Sequence, residues 1–165
     1  MFTFFRAIIY AILFISLVLI YIPSRFLLWI GFEQPESMGI QQLAGIIISL
    51  AGIALALWCV FAFASLGKGT PAPFDPPKRL VVRGPYRFSR NPMYIGAGIA
   101  LIGAAMYYNS WVLIIYTIVL FFIVSGFIRW YEEPVLRRTF REEYDAYCRR
   151  VGRWLPRKST TNIDN

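Results

Sequence analysis

Residues 91–134, "NPMYIGAGIALIGAAMYYNSWVLIIYTIVLFFIVSGFIRWYEEP", decide how the chain folds. Two apolar runs, 93–108 and 111–128, are parted only by the end of "YYNS", and each outer end is polar. A helix of about 20 apolar residues crosses the hydrocarbon layer of a bilayer. The second run fits that length, while the first is short and spans only where the bilayer thins or the helix stays straight. A turn at "YYNS" makes the two an antiparallel hairpin. The start of one helix, at Asn91 and Pro92, then lies beside the end of the next, at Arg129, Glu132 and Glu133.

Two more apolar runs, 4–22 and 40–66, precede the hairpin, so the expectation is an all-α integral membrane bundle of about four transmembrane helices. Hydrophobic residues make up 58% of the chain and charged residues only 16%, which excludes an ordinary soluble domain. Arg6 before the first run resembles a secretory signal, but "YIPSRF" follows in place of a small-residue cleavage site, so a retained anchor is expected. Pro23 is expected to break that helix and leave "LLWIGF" at the interface. Gly45, Ser49, Gly52, Ala56 and Cys59 put small side chains on one helix face, and Gly96, Ala100 and Ala104 make a second such stripe for close packing.

Residues 67–77, "GKGTPAPFDPP", hold four prolines and read as an irregular loop. Beyond the hairpin, Leu136, Phe140, Tyr144, Tyr147 and Val151 recur at helical spacing among Arg and Glu, predicting a basic amphipathic helix on the cytoplasmic membrane surface. Residues 1–66 therefore form two N-terminal spans. Residues 67–158 form the loop, hairpin and amphipathic helix, and 159–165 a disordered tail.

The net charge of +8 points to nucleic acid only until the charges are located. Of 17 Lys and Arg, 16 fall before the first span, between the second and third, or after the fourth. That is the positive-inside pattern with both termini cytoplasmic, and it accounts for the charge without nucleic acid. Short loops suit a bacterial inner membrane. There is no His, which excludes imidazole catalysis and the common zinc sites. Cys59 and Cys148 are too far apart in sequence to suggest a redox pair or a metal clip.

Residues 80–96, "LVVRGPYRFSRNPMYIG", meet the "RWYEEP" end through the hairpin. Asn91 is a good N-cap and Pro92 a favoured first helical residue, and Arg83, Arg87 and Arg90 have a plain topological reading. Glu132 and Glu133 do not set topology and are unfavourable at a helix C-terminus, although Arg129 is spaced to pair with either. Helix-end N–H groups and Arg suit a carboxylate, and Glu suits an ammonium. Tyr86, Tyr94, Trp130 and Tyr131 suit a sulfonium or an adenine face. S-adenosylmethionine asks for all of these together.

At these residues the chain resembles the membrane methyltransferases that include isoprenylcysteine carboxyl methyltransferases and phospholipid N-methyltransferases. The likeness covers roughly the C-terminal half. It rests on "LVVRGPYRFSRNPMYIG", similar to L-V-x-x-G-x-Y-x-x-x-R-H/N-P-x-Y-x-G, and on "EEPVLRRTFREEYDAYCRRVGRWLP", similar to E-E-x-x-L-x-x-x-F-G-x-E-Y-x-x-Y-x-x-x-V. The resemblance implies cofactor contacts from Lys78, Arg79, Leu80, Val81, Tyr86, Arg90, Asn91, Pro92, Met93, Tyr94 and Glu132, with no metal. Glu133 completes the acidic pair. The carboxyl methyltransferases carry a substrate-facing Arg where Ile128 stands, and the adjacent Arg129 is taken as its substitute. Asn91 replaces a His common in that branch. Arg141 stands at the glycine of the second motif and reads as a surface change.

The expected activity is therefore S-adenosylmethionine-dependent methylation of a lipid-like or lipid-linked acceptor: an isoprenylcysteine carboxylate, a lipid amine or a small thiol. Methyl transfer from a sulfonium needs alignment and exclusion of water more than proton transfer. An ammonium acceptor needs a base, and without His the candidate is Glu133. Two rivals stay open, an NADPH-dependent enzyme like the sterol reductases and a non-enzymatic membrane protein of the same fold. A transporter is disfavoured because the spans lack ionisable residues.

Overall fold

The computed structural model describes residues 16–29, 31, 37–63, 65 and 79–157. The start of the first apolar run, the proline-rich loop with Lys78, and the tail 159–165 lie outside them. Every regular element among the described residues is helical. These are α1 (Ile22–Trp29), continuous with a π-helical turn at Ser16–Tyr21, then α2 (Ile40–Ala62), α3 (Pro92–Tyr107), α4 (Trp111–Phe127) and α5 (Glu133–Arg150). A π-helical turn, Ile128–Glu132, joins α4 to α5 without a break. Two helices are long and apolar enough to cross a membrane: α2, and the 40-residue run from Trp111 to Arg150 that begins with α4. Ser16–Trp29 and Pro92–Tyr107 are shorter apolar helices.

Pro23 does not end the first helix as its ring chemistry predicts. It sits at the second residue of α1, and the wider π turn before it takes up the lost donor and the bulk of the ring. The helix runs to Trp29 and stops at Gly31, whose N–H donates to the Leu28 carbonyl at φ +65°. Leu27 packs on Ala105 and Leu113, and the Tyr116 hydroxyl donates to the Val18 carbonyl, so α1 lies along α4.

The bundle is built around the seam between α2 and α3. Gly45 faces Gly103 and Tyr107, Gly52 faces Gly96 and Ala100, and Ala56 faces Gly96. The two helices thus run antiparallel with backbones touching. A Cβ at Gly45 would stand 2.7 Å from the Gly103 carbonyl oxygen, and one at Gly96 2.7 Å from that of Gly52. Ser49 fits the seam by donating to the Ala100 carbonyl at 3.0 Å. The expected stripe on α2 is present, but on α3 the third member is Gly103. Ala104 packs instead beside the Leu27 cluster.

The hairpin turn has a specific cause. Asn109 takes the left-handed conformation at φ 47°, and Asn109 and Ser110 return N–H bonds to the carbonyls of Met106 and Ala105. That pairing closes a helix C-terminus and reverses the chain within a few residues.

The apolar face of the amphipathic helix is turned inward. Tyr144, Tyr147 and Val151 are buried, and they pack with Leu136, Phe140 and Leu80. The apolar face thus closes on the segment that opens α3 and buries surface within the protein. The helix also kinks at Arg141, which holds φ 44° and ψ −119°. The side chain is exposed, yet this backbone conformation belongs to glycine. The glycine of the motif therefore has a conformational reason, and Arg141 is more than a surface change.

Candidate active site

Residues 79–94 approach the hairpin ends in three steps. Leu80 and Val81, adjacent on an extended segment, point to opposite sides. Leu80 joins the Tyr144–Tyr147–Val151 cluster, and Val81 joins Cys59, Ala62 and Tyr86 at the end of α2. Gly84, at φ +62°, then starts a single 3-10 turn, Gly84–Arg87, which buries Tyr86. Finally Ser89, Asn91 and Pro92 enter the protein together at the start of α3. Asn91 does not cap the helix with its side chain. Its Nδ2 donates to the Arg153 carbonyl at 3.1 Å, and its own N–H donates to the Ser89 hydroxyl at 3.1 Å.

The opposing wall is set by the π turn. With more than four residues per turn, Ile128 and Glu132 share the inner face of Ile128–Glu132. Ile128 is 1% exposed, whereas Trp130 between them is 80% exposed. Glu132 lies one turn beyond the last apolar residue of the span and accepts a hydrogen bond from the Tyr94 hydroxyl at 3.2 Å. Burial pushes its carboxyl up to about 7, against the Tyr94 hydrogen bond that lowers it. Burial also pushes the Tyr86 hydroxyl well up, and Cys59, Glu132, Tyr147 and Tyr94 stand near enough to add to that shift. The carboxyl thus meets Tyr94 of α3 directly and stands near Tyr86 of the 84–87 turn, which in turn lies near Cys59 of α2 and Tyr147 of α5.

Glu133, the next residue, has the opposite surroundings. Arg153 grips it with two prongs, Nε to Oε1 at 2.8 Å and a terminal nitrogen to Oε2 at 2.7 Å. Arg90 adds a 3.1 Å ion pair. Burial alone would raise this carboxyl, but the Arg153 hydrogen bonds and the charges of Arg90 and Arg153 outweigh it and hold it below the usual range. A carboxylate so committed is a weak proton acceptor. The geometry gives Glu133 a fastening task in place of the base role assigned to it from sequence.

Of the residues expected to hold a cofactor, the structure brings Tyr86, Tyr94 and Glu132 near one another, and packs Met93 and Val81 against Tyr86. Arg90 and Asn91 are tied to the C-terminal segment, and Pro92 is buried beside them. Arg79 is exposed. Arg129, expected to face the substrate, is exposed and, among the described residues, pairs with neither Glu132 nor Glu133. Sequence reasoning missed Arg153, Ser89 and the Tyr147 hydroxyl, which donates to the Tyr86 carbonyl at 2.6 Å. Arg153 follows the end of α5, where no periodicity marks it. Tyr147 was visible only as part of an apolar face. Among the described residues no cluster of His, Cys, Asp or Glu could hold a metal.

Fold and site together define a helical membrane protein with a partly buried acidic site at one end of a helical hairpin. A family profile described as phospholipid methyltransferase matches residues 40–143, from α2 to just past the kink in α5. The chain belongs to the phospholipid methyltransferase family, and is a membrane methyltransferase. No curated protein and no solved structure matches it.

Proposed function

We propose that the protein transfers a methyl group from S-adenosylmethionine to a lipid-like or lipid-linked acceptor at the end of the bundle that holds Glu132. The observation that carries this reading is the Glu132 carboxyl itself. It is largely withdrawn from solvent, raised to about 7 by desolvation and held by a neutral hydroxyl, with no guanidinium on it among the described residues. Such a carboxyl gains most from an opposing cation that displaces its proton. The ammonium of the cofactor is a cation of that kind, so the residues present fit the group.

Glu132 would hold the ammonium, and the Tyr94 hydroxyl would keep the carboxylate oriented. Tyr86 and Met93 would form apolar walls that exclude water. The bound cofactor supplies an electrophilic methyl on a sulfonium. What this chain contributes is alignment of that methyl and the dry surroundings in which a separated charge is unfavourable. With Glu133 engaged by two arginines and no His in the chain, acceptors that need no base fit best: a carboxylate, a thiolate, or an amine that arrives neutral. The exposed apolar faces of α2 and α4, including Trp58, Phe61 and Phe127, would lie in lipid beside the site, so an acceptor could enter from the bilayer. We assign the site end and both termini to the cytoplasm of a bacterial inner membrane, from the basic residues at that end.

Labelled S-adenosylmethionine supplied to membranes carrying the wild type or Glu132→Gln tests the reading. The expected result is lipid-soluble label that depends on Glu132, base-labile for a carboxyl ester and base-stable for an amine or a sulfur. Equal labelling from both, or none from the wild type together with no cofactor binding by purified protein, would overturn it.

A further inference from the structure

The two helix ends that frame Glu132 are fastened a second time, through its neighbour Glu133, where Arg153 makes two hydrogen bonds beside the ion pair from Arg90. The Arg153 guanidinium takes both oxygens of Glu133, the neighbour of Glu132. The Arg153 carbonyl accepts from Ser89 Oγ at 3.0 Å and from Asn91 Nδ2 at 3.1 Å, at the start of α3. Gly152 adds to the same seam, its carbonyl accepting the Arg90 N–H at 3.0 Å. Arg153 therefore holds α3 with its main chain and the α4–α5 junction with its side chain. Tyr94 and Glu132 join the same two elements from inside.

From this double fastening we propose that Arg153 is a positioning residue, which sets where the Glu132 carboxyl stands against α3 by clamping Glu133 and Asn91 together. The inference rests on the reading of Glu132 as the cofactor-binding carboxyl. Arg153 need not touch the cofactor. A planar two-pronged guanidinium fixes both the distance and the rotation of Glu133, and a lysine ammonium fixes neither. Because Glu132 and Glu133 are adjacent on one turn, a rotation of Glu133 is passed on to Glu132. The groups that face Glu132 are Tyr94 from α3, Tyr86 from the 84–87 turn and Glu133 on its own turn.

The test uses the purified full chain in lipid nanodiscs, as wild type, Arg153→Lys and Arg153→Ala. The dissociation constant for S-adenosylmethionine is measured by calorimetry from pH 5 to pH 8.5, and the thermal midpoint by scanning. Wild-type binding should weaken below about pH 7, where Glu132 takes up its proton. Arg153→Lys should stay folded, bind about tenfold more weakly at pH 7.5, and show its pH midpoint displaced to lower pH as water reaches Glu132. Arg153→Ala should show both changes more strongly. If it fails to fold, Arg153→Lys still decides the question. A lowered thermal midpoint with unchanged affinity and pH midpoint would make Arg153 merely structural and overturn this inference alone. A wild type that does not bind S-adenosylmethionine would overturn the cofactor reading and this inference with it.

Discussion

The seam between α2 and α3 and the fastening at the hairpin ends hold the same helix, α3, by opposite means. In the seam, side chains are small or absent: Gly45, Gly52, Gly96 and Gly103 let two backbones meet, Ser49 adds one hydrogen bond, and the attraction is close packing without charge. At the hairpin ends, long side chains reach across gaps, and Arg153, Glu133, Arg90 and Asn91 form a charged and hydrogen-bonded knot. A seam made of missing atoms has no slack, because any addition meets a backbone atom that cannot rotate away. A knot made of long side chains tolerates rearrangement until a charge is left buried and unpaired.

The largest expected effect therefore lies in the seam. Gly96→Ala would place a Cβ 2.7 Å from the Gly52 carbonyl and 2.8 Å from the Ala56 nitrogen, both main chain. Overpacking of that kind should cost about 3 kcal/mol or prevent assembly, read as unfolding in nanodiscs or loss of expression in membranes. Gly98→Ala on the same helix is the control. Nothing lies within 4 Å of its added carbon, so it should be neutral or slightly stabilising. If both variants behave alike, the seam is not the tight contact described here. Next in size is Glu133→Gln, which leaves Arg153 and Arg90 facing an uncharged amide. With Arg153 a third exposed, the expected loss is about 2 kcal/mol rather than the full figure for a buried pair. The pH dependence has a definite sign. The lowered Glu133 carboxyl stabilises the fold above its unfolded value of 4.5, and that contribution disappears as pH falls below it. Glu133→Gln should flatten the acid limb of the stability curve.

How far the sequence was legible follows the same division. The seam could be read almost to the residue on α2, because small residues at helical spacing have one physical use in an apolar helix. On α3 the reading slipped by one position, from Gly103 to Ala104, because Gly96, Ala100, Gly103 and Ala104 are compatible with two adjacent faces. Glu132 and Tyr94 were legible as members of one site, since the hairpin alone brings them to one end, but their hydrogen bond was not. Glu133 was not. Its role depends on Arg153, beyond the end of α5, and no local pattern says that the chain there folds back onto residues 89–91. The direction of the amphipathic face was illegible for a related reason. A stripe of Leu, Phe and Tyr suits a membrane surface and a protein surface equally, and only the fold brings Leu80 opposite it.

Glu132 sharpens the contrast, because it is the charge the knot leaves out. Its unfolded carboxyl titrates at 4.5 and its folded one at about 7. Between those values the unfolded chain has released a proton that the folded chain keeps, so this group lowers stability as pH rises through the interval. Glu132→Gln should remove that slope and be as stable as the wild type at pH 8, or more so, while losing affinity for S-adenosylmethionine. Saturating cofactor should remove the same slope from the wild type, since a bound ammonium stabilises the ionised form. A wild-type slope unaffected by either change would separate Glu132 from the cofactor.

The smallest effect concerns Arg141, where the knot is joined to the rest of α5. Its φ of 44° and ψ of −119° bend the helix so that Tyr144, Tyr147 and Val151 turn back onto residues 80–91. Holding an L-residue there costs about 1–3 kcal/mol. Glycine would relieve that strain, but it would also free the unfolded backbone, which takes back part of the gain. The exposed ion pair between Arg137 and Asp145, at 2.9 Å across the kink, contributes little to holding the bend. Arg141→Gly is therefore expected to stabilise the protein by about 1 kcal/mol, seen as a small rise in the thermal midpoint with cofactor affinity unchanged. Arg141→Ala, which removes the side chain but keeps the Cβ, should give no such rise. A gain from both would trace the effect to the charge on the side chain, and a gain from glycine alone traces it to the backbone.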